Sequence, residues 1–216
     1  MRRLLSVIAC RVSRDAWVFP GPLFCIDKQI ISSNSDCRTG FIKYAVGRAR
    51  FYLGVACLTP VFAGFLLGFI RAWRAKELMS IFFFGGQDTH KFEELASKYS
   101  REKLPEIVRE VARERMEWHK QRGDTVVVVS ASIDLWLKDW CKAQHVDLIA
   151  TMLEVKDGRF SGKFLTKNCS GREKVRRIEE RFDLSDFDYI YAYGDNPGDR
   201  PMLAIANERY YRWTRI

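Results

Sequence analysis

The spacing of hydrophobic positions changes character near residue 124 and divides the chain into two kinds of structure. Beyond Gly123-Asp124, strand and helix patterns alternate. Thr125 to Val129 is an unbroken β-branched run, too uniformly apolar for a half-exposed strand, which predicts a central strand of a parallel sheet. A helix is predicted from about Ile133 to Gln144 and a strand near Leu148 to Ala150. Leu153 to Lys156 and Arg159 to Gly162 flank Asp157-Gly158, a type I′ hairpin signal. A helix follows over roughly Arg172 to Arg181, then a strand over Phe187 to Tyr193 ending in Gly194-Asp195, then a helix near Asp199. Strands alternating with helices predict an α/β fold, a Rossmann-like parallel sheet with helices on both faces.

The first half reads differently. Pro22 to Asp27 is a short apolar run ending in a carboxylate, the pattern of a buried strand with a charged end. Residues 38–115 fit the inserted helical cap that the resemblance given below implies, which leaves 20–37 and 116–216 as the core. Within the cap, one amphipathic helix opens at Asp88-Thr89 and runs to about Lys98. A second is predicted to be capped by Ser100, with Leu104, Ile107, Val108 and Val111 on one face. The segment 51–70 holds no charge and has arginines on both flanks: Arg48 and Arg50, then Arg71 and Arg74. It is long enough for one span. A single crossing, however, would put Asp27 on the opposite side from everything after it. Pro60 divides the segment into two arms, predicting a helical hairpin in one leaflet or a helix pair inside the cap. Residues 1–19 are predicted to lie outside the core, because Leu4 to Cys10 is short for a signal sequence and charge follows at once.

Composition narrows the class. The hydrophobic content of 47% and charged content of 29% are those of a globular chain. The formal charge of +9 suits an anionic partner, and because it is scattered, a nucleic-acid tail is not expected. The 6 cysteines include no C-x-x-C and no His at metal-site spacing, which predicts reduced, buried or half-buried thiols in a cytoplasmic protein. His90, His119 and His145 are assigned to helical or loop surfaces with no role.

In an open parallel sheet, ligands sit beyond the carboxyl ends of the strands. The residues there are Asp27, Ser130, Asp195 and Asp199, with Lys174 opening the helix before the last strand. Each type suits phosphoryl transfer. A carboxylate can carry the phosphoryl group covalently. Mg²⁺ takes one or two carboxylates plus substrate oxygens and water, which suits Asp27 with Asp195 and Asp199. The Ser130 hydroxyl and the Lys174 ammonium can bind phosphate oxygens.

These residues, in this order, resemble the haloacid dehalogenase superfamily of phosphatases. The matching segments are Val-Val-Val-Val-Ser-Ala-Ser (126–132), Gly-Arg-Glu-Lys-Val (171–175) and Tyr-Gly-Asp-Asn-Pro-Gly-Asp (193–199). The chain is most similar to subclass IB, which holds phosphoserine phosphatase and the bacterial phosphatidylglycerophosphatase-like hydrolases. Trp73-Arg74-Ala75-Lys76-Glu77 and the hairpin Leu153 to Phe164 also resemble the latter group. The resemblance implies a Mg²⁺-dependent phosphomonoesterase working through an aspartyl-phosphate. Its substrate would be a phospholipid head-group phosphate or a small phosphorylated metabolite, met in the cytoplasm or on the cytoplasmic face of the inner membrane.

One motif departs from the pattern. The family's Asp-x-Asp-x-Thr corresponds here to Cys25-Ile26-Asp27-Lys28-Gln29-Ile30. In one register Cys25 replaces the nucleophile. In the other, preferred because it needs no insertion before Phe41, Asp27 is the nucleophile and Gln29 replaces the acid/base. The second reading of the whole chain is therefore a silent relative that binds a phosphorylated ligand or metal without turnover.

Overall fold

The computed structural model of the protein describes residues 4–10 and 37–216. Its centre is a six-stranded sheet of order β3-β2-β1-β6-β7-β8. The strands are β1 (Leu4–Cys10), β2 (Thr125–Ile133), β3 (Asp147–Thr151), β6 (Tyr189–Gly194), β7 (Glu208–Tyr211) and β8 (Thr214–Arg215). All neighbours are parallel except β8, which turns back on β7. β4 (Leu153–Lys156) and β5 (Arg159–Phe164) form a separate antiparallel pair.

The β-branched run of β2 explains its place. Val126 and Val128 face one hydrophobic cluster, Val127 and Val129 the other, and all four are buried. A strand buried on both sides has no need of polar alternation. The first cluster packs β2 against α1 (Cys37–Val46), α4 (Ala72–Phe84), α5 (Thr89–Glu102) and α7 (Glu110–Gln121), with Phe41 stacked on Trp136 at 4.5 Å. The second packs it against α9 (Arg172–Arg181) and α10 (Arg200–Ala204). Helices thus cover both faces, as the alternation predicts. The elements between β1 and β2 are helices among the described residues, adding α2 (Arg48–Cys57), α3 (Thr59–Leu66) and α6 (Leu104–Ile107), with Asp88 in an isolated bridge to Arg159. α8 (Lys138–Ala143) connects β2 to β3.

Several expectations need correcting. Leu4–Cys10, assigned to an extension, is the strand between β2 and β6, with Cys10 level with Ser130. Its sequence, LLSVIAC, is uncharged and suits a slot flanked by strands on both sides. The strand predicted at 22–27 and its Asp27 lie outside the described residues. Ser100 is no helix cap: α5 runs through it to Glu102, and its buried hydroxyl accepts from Trp140 N at 2.9 Å. The helix placed at 133–144 is shorter, because β2 continues to Ile133 and a 3-10 turn over Asp134–Trp136 precedes α8. Apolar α2 and α3 meet at a bend of 51°, at the break expected beside Pro60, and no single helix among the described residues is long and apolar enough to cross a membrane.

Candidate active site

Three chain segments converge at the carboxyl-terminal part of β2 and just beyond the end of β6. Ser130 is fully buried where β2 loses regular pairing with β3, between Val129 and Ile133. Its hydroxyl oxygen accepts from Ser132 N at 2.9 Å, closing a local turn that sets the side chain.

Lys174 sits in the first turn of α9 and is 1% exposed. The Lys174 ammonium donates to Val129 O at 2.7 Å and lies 3.0 Å from Asp199 Oδ1. On local pattern this lysine belongs to a solvated helix face; in the fold that face is turned into the sheet. Burial of an unmatched ammonium costs several kcal/mol, which the Asp199 carboxylate offsets.

Asp195 follows β6 directly and is 5% exposed. The loop after it is fixed by its own chemistry. Asp199 Oδ2 accepts from Asp195 N at 3.2 Å and Asn196 N at 3.0 Å, while Asn196 Oδ1 accepts from Gly198 N at 3.1 Å, a reciprocal capping box. Gly194 is needed here, since a Cβ would stand 2.7 Å from Asp199 Cβ. Gly171, at φ +63°, donates to Gly198 O at 2.9 Å and ties the lysine loop to the aspartate loop.

Of the residues singled out in the sequence, Ser130, Lys174, Asp195 and Asp199 come together. With Oδ1 on Lys174 and Oδ2 on two backbone N–H groups, Asp199 orients the lysine and the loop, which leaves Asp195 as the better-placed metal carboxylate. Cys141 and Cys169 are buried; burial pushes the Cys141 thiol up to about 12 and raises that of Cys169.

Two residues escaped the sequence reading. Lys76 of α4 is 6% exposed and donates to Ala131 O and, at 2.7 Å, to Asn168 Oδ1. The only sequence signal was its place in the 73–77 segment. His119, taken for a surface histidine, is fully buried. Its Nδ1 is 2.6 Å from Asp124 Oδ2 and its Nε2 2.8 Å from Tyr193 OH. Its pKa is lowered, with burial the largest cause; Asp124 opposes it, and Arg115 and Arg122 push the same way as burial.

A family model described as haloacid dehalogenase-like hydrolase matches residues 23–204. The match opens at the run leading to Asp27, whereas the slot beside Ser130 is filled by Leu4–Cys10. Protein CicA of Caulobacter vibrioides is 32% identical over 183 residues, covering 82% of this chain and 79% of its own. A Bordetella pertussis protein of unknown function superposes with a TM-score of 0.75 at 20% identity, over 97% of this chain and 89% of that one. A probable phosphoserine phosphatase from Vibrio cholerae gives 0.64 at 15% identity, over 96% and 55%. The fold is shared with both structures, and the chain belongs to the haloacid dehalogenase-like hydrolases.

Proposed function

We propose that the protein is a Mg²⁺-dependent phosphomonoester hydrolase acting through an aspartyl-phosphate on Asp27. The observation that carries this reading is the convergence of Ser130, Lys174 and Asp195 at one end of the sheet, with Lys174 buried against Asp199. Asp195 is a hard-oxygen donor at a strand end and fits Mg²⁺, which takes few carboxylates and keeps sites for substrate oxygens and water. With Asp27 it would hold the ion. When bound, Mg²⁺ supplies positive charge against the phosphoryl oxygens.

In this scheme Ser130 and Lys174 hold the phosphoryl group in line with Asp27. A carboxylate oxygen of Asp27 forms the new P–O bond as the ester oxygen departs, and water then releases phosphate from Asp27. The departing oxygen needs a proton. Gln29, in the acid/base position, donates hydrogen bonds but carries no exchangeable acid, a deficit of about 10²–10⁴-fold.

That deficit is the specific observation favouring the second reading, a silent relative that binds a phosphorylated ligand or metal. Purified protein tested on a panel of phosphomonoesters, with and without Mg²⁺, decides. Mg²⁺-dependent phosphate release supports the hydrolase; no release on any substrate leaves the silent binder. Replacing Asp195 by Asn removes a ligand charge at nearly constant volume and is expected to abolish Mg²⁺ binding in calorimetry, whereas unchanged affinity removes Asp195 from the site.

For the substrate, a lipid head-group phosphate is supported by the α2–α3 end. Leu53, Leu66, Leu67 and Phe69 are 64%, 50%, 70% and 83% exposed there. Arg48, Arg50, Arg71 and Arg74 flank this segment in sequence and are exposed. Exposed apolar side chains with cations on both flanks suit the interface of an anionic membrane. α4 starts beside this end, and Lys76 is only about 6 Å along its axis from Ala72. Sedimentation with anionic vesicles is expected; protein that stays wholly in the supernatant makes a small soluble phosphomonoester the better substrate.

A further inference from the structure

Two buried lysines reach one stretch of backbone from different parts of the molecule. Lys174, on α9 of the core, donates to Val129 O at 2.7 Å. Lys76, on α4 of the helical insertion, donates to Ala131 O. The residue between those two carbonyls is Ser130, itself fully buried. The two ammonium groups therefore bond the carbonyls immediately before and after the residue whose hydroxyl the phosphohydrolase reading places on a phosphoryl oxygen.

Lys76 is held in that position from several sides. Asn168 Oδ1 accepts from its Nζ at 2.7 Å, and the Phe164 ring lies 5.6 Å from it. The adjacent Glu77 is 8% exposed, accepts from Phe164 N at 3.2 Å and pairs with Arg74, which pins the start of α4 against the strand that ends at Phe164. Asn168 lies on the short connection between β5 and α9, so one loop positions both lysines. A lysine on a helix surface ordinarily extends its charge into water. This one turns it inward to the carboxyl end of β2.

We propose that Lys76 is a second phosphoryl-binding cation, delivered by the helical insertion, which matches the site to the doubly charged terminus of a phosphomonoester. The proposal rests on the phosphohydrolase reading and deepens it. A phosphomonoester end carries close to two negative charges and three acceptor oxygens near neutral pH, whereas a phosphodiester carries one charge. Lys76 adds a positive charge to that of Lys174, which Asp199 already offsets, and so favours the first; a bound phosphoryl group would tie α4 to the core.

The test is calorimetry on the full chain, titrating inorganic phosphate in the presence of Mg²⁺, and Mg²⁺ alone. The proteins are wild type, Lys76→Met, Lys76→Gln and Lys174→Met. Gln keeps a donor toward Ala131 and Asn168 without the charge, and covers the case in which Met does not fold. The expected result is a loss of at least about tenfold in phosphate affinity on removing either lysine, with Mg²⁺ affinity unchanged in the Lys76 variants. Phosphate affinity unchanged in the Lys76 variants but reduced in Lys174→Met overturns the role of Lys76 alone. Loss of phosphate and Mg²⁺ binding together in the folded Lys76 variants also overturns it, since Lys76 would then be a strut between α4 and β2. Wild-type protein that binds Mg²⁺ but no phosphate overturns both the proposal and the reading beneath it.

Discussion

The two sides of the site are built to different standards. On one side, β2, α9 and the loop after β6 interlock: Lys174 joins Val129 to Asp199, Asp199 holds the Asp195–Asn196 backbone, and Gly171 donates to Gly198. On the other, β1 ends in Cys10 beside Ser130, and Leu4–Cys10 contains no carboxylate. On the proposed reading, the side that would bind the phosphoryl group and metal is intact, and the side that would supply nucleophile and proton departs from the family pattern in sequence. That reading makes binding and chemistry separable. A chain can keep the first, with its buried lysine, after the second has drifted.

The largest expected effect tests the altered side. If Asp27 is the nucleophile, Asp27→Asn should lower any Mg²⁺-dependent phosphatase rate by at least about 10³-fold, since the covalent route is removed. A rate within a few-fold of wild type would move the chemistry to another residue.

The next tests the intact side through stability. Asp199→Ala leaves Lys174 buried without its carboxylate and removes the acceptor for two backbone N–H groups. Breaking a buried pair in this way costs about 3–5 kcal/mol. Urea denaturation should show that loss, and Lys174→Met,Asp199→Ala together should recover part of it. Equal midpoints for wild type and Asp199→Ala would mean the pair is not structural.

A smaller effect separates the registers of the first motif. Gln29→Asp restores a proton donor and should raise the rate about tenfold or more. A rise with Cys25→Asp and none with Gln29→Asp would place Asp27 second in the motif.

The smallest concerns a region away from the chemistry. His119 is buried and its pKa lowered, so it is neutral in the folded protein and protonates more readily when unfolded. Its contribution is complete above the ordinary histidine value of about 6.5 and is lost as pH falls below it, at up to about 1.4 kcal/mol per pH unit. His119→Gln should flatten the fall in melting temperature between neutral and mildly acid pH. An unchanged slope would assign that fall to other groups.

The turns show where the sequence was readable and where it was not. Asp157-Gly158 announces its hairpin, because the turn needs positive φ at both positions, and these residues take 49° and 70°. The β7–β8 turn demands the same of Arg212 and Trp213, at 52° and 66°, residues that advertise no turn, and that hairpin went unseen. The span of α9 was legible in the alternation of strand and helix patterns, but not the inward turn of Lys174, which only the sheet beneath it reveals. β1 was misplaced because Leu4 to Cys10 and Leu23 to Ile26 are both short uncharged runs, and local pattern cannot rank them for one slot. His119 was missed because Tyr193, one of its two partners, lies 74 positions along the chain. Of the site, Ser130, Asp195 and Asp199 were legible by their place after predicted strands, and Lys174 only through the family resemblance. Lys76 was not, since its partners lie 55 and 92 positions along the chain.

The most direct test of the account is to trap the covalent step. Protein turning over a phosphomonoester with Mg²⁺ is quenched in acid, which preserves acyl-phosphates, and its peptides are mapped by mass. The account predicts a phosphoryl group on the peptide containing Asp27, absent in Asp27→Asn. Phosphate on a different residue, or Mg²⁺-dependent turnover with no labelled peptide, would contradict it.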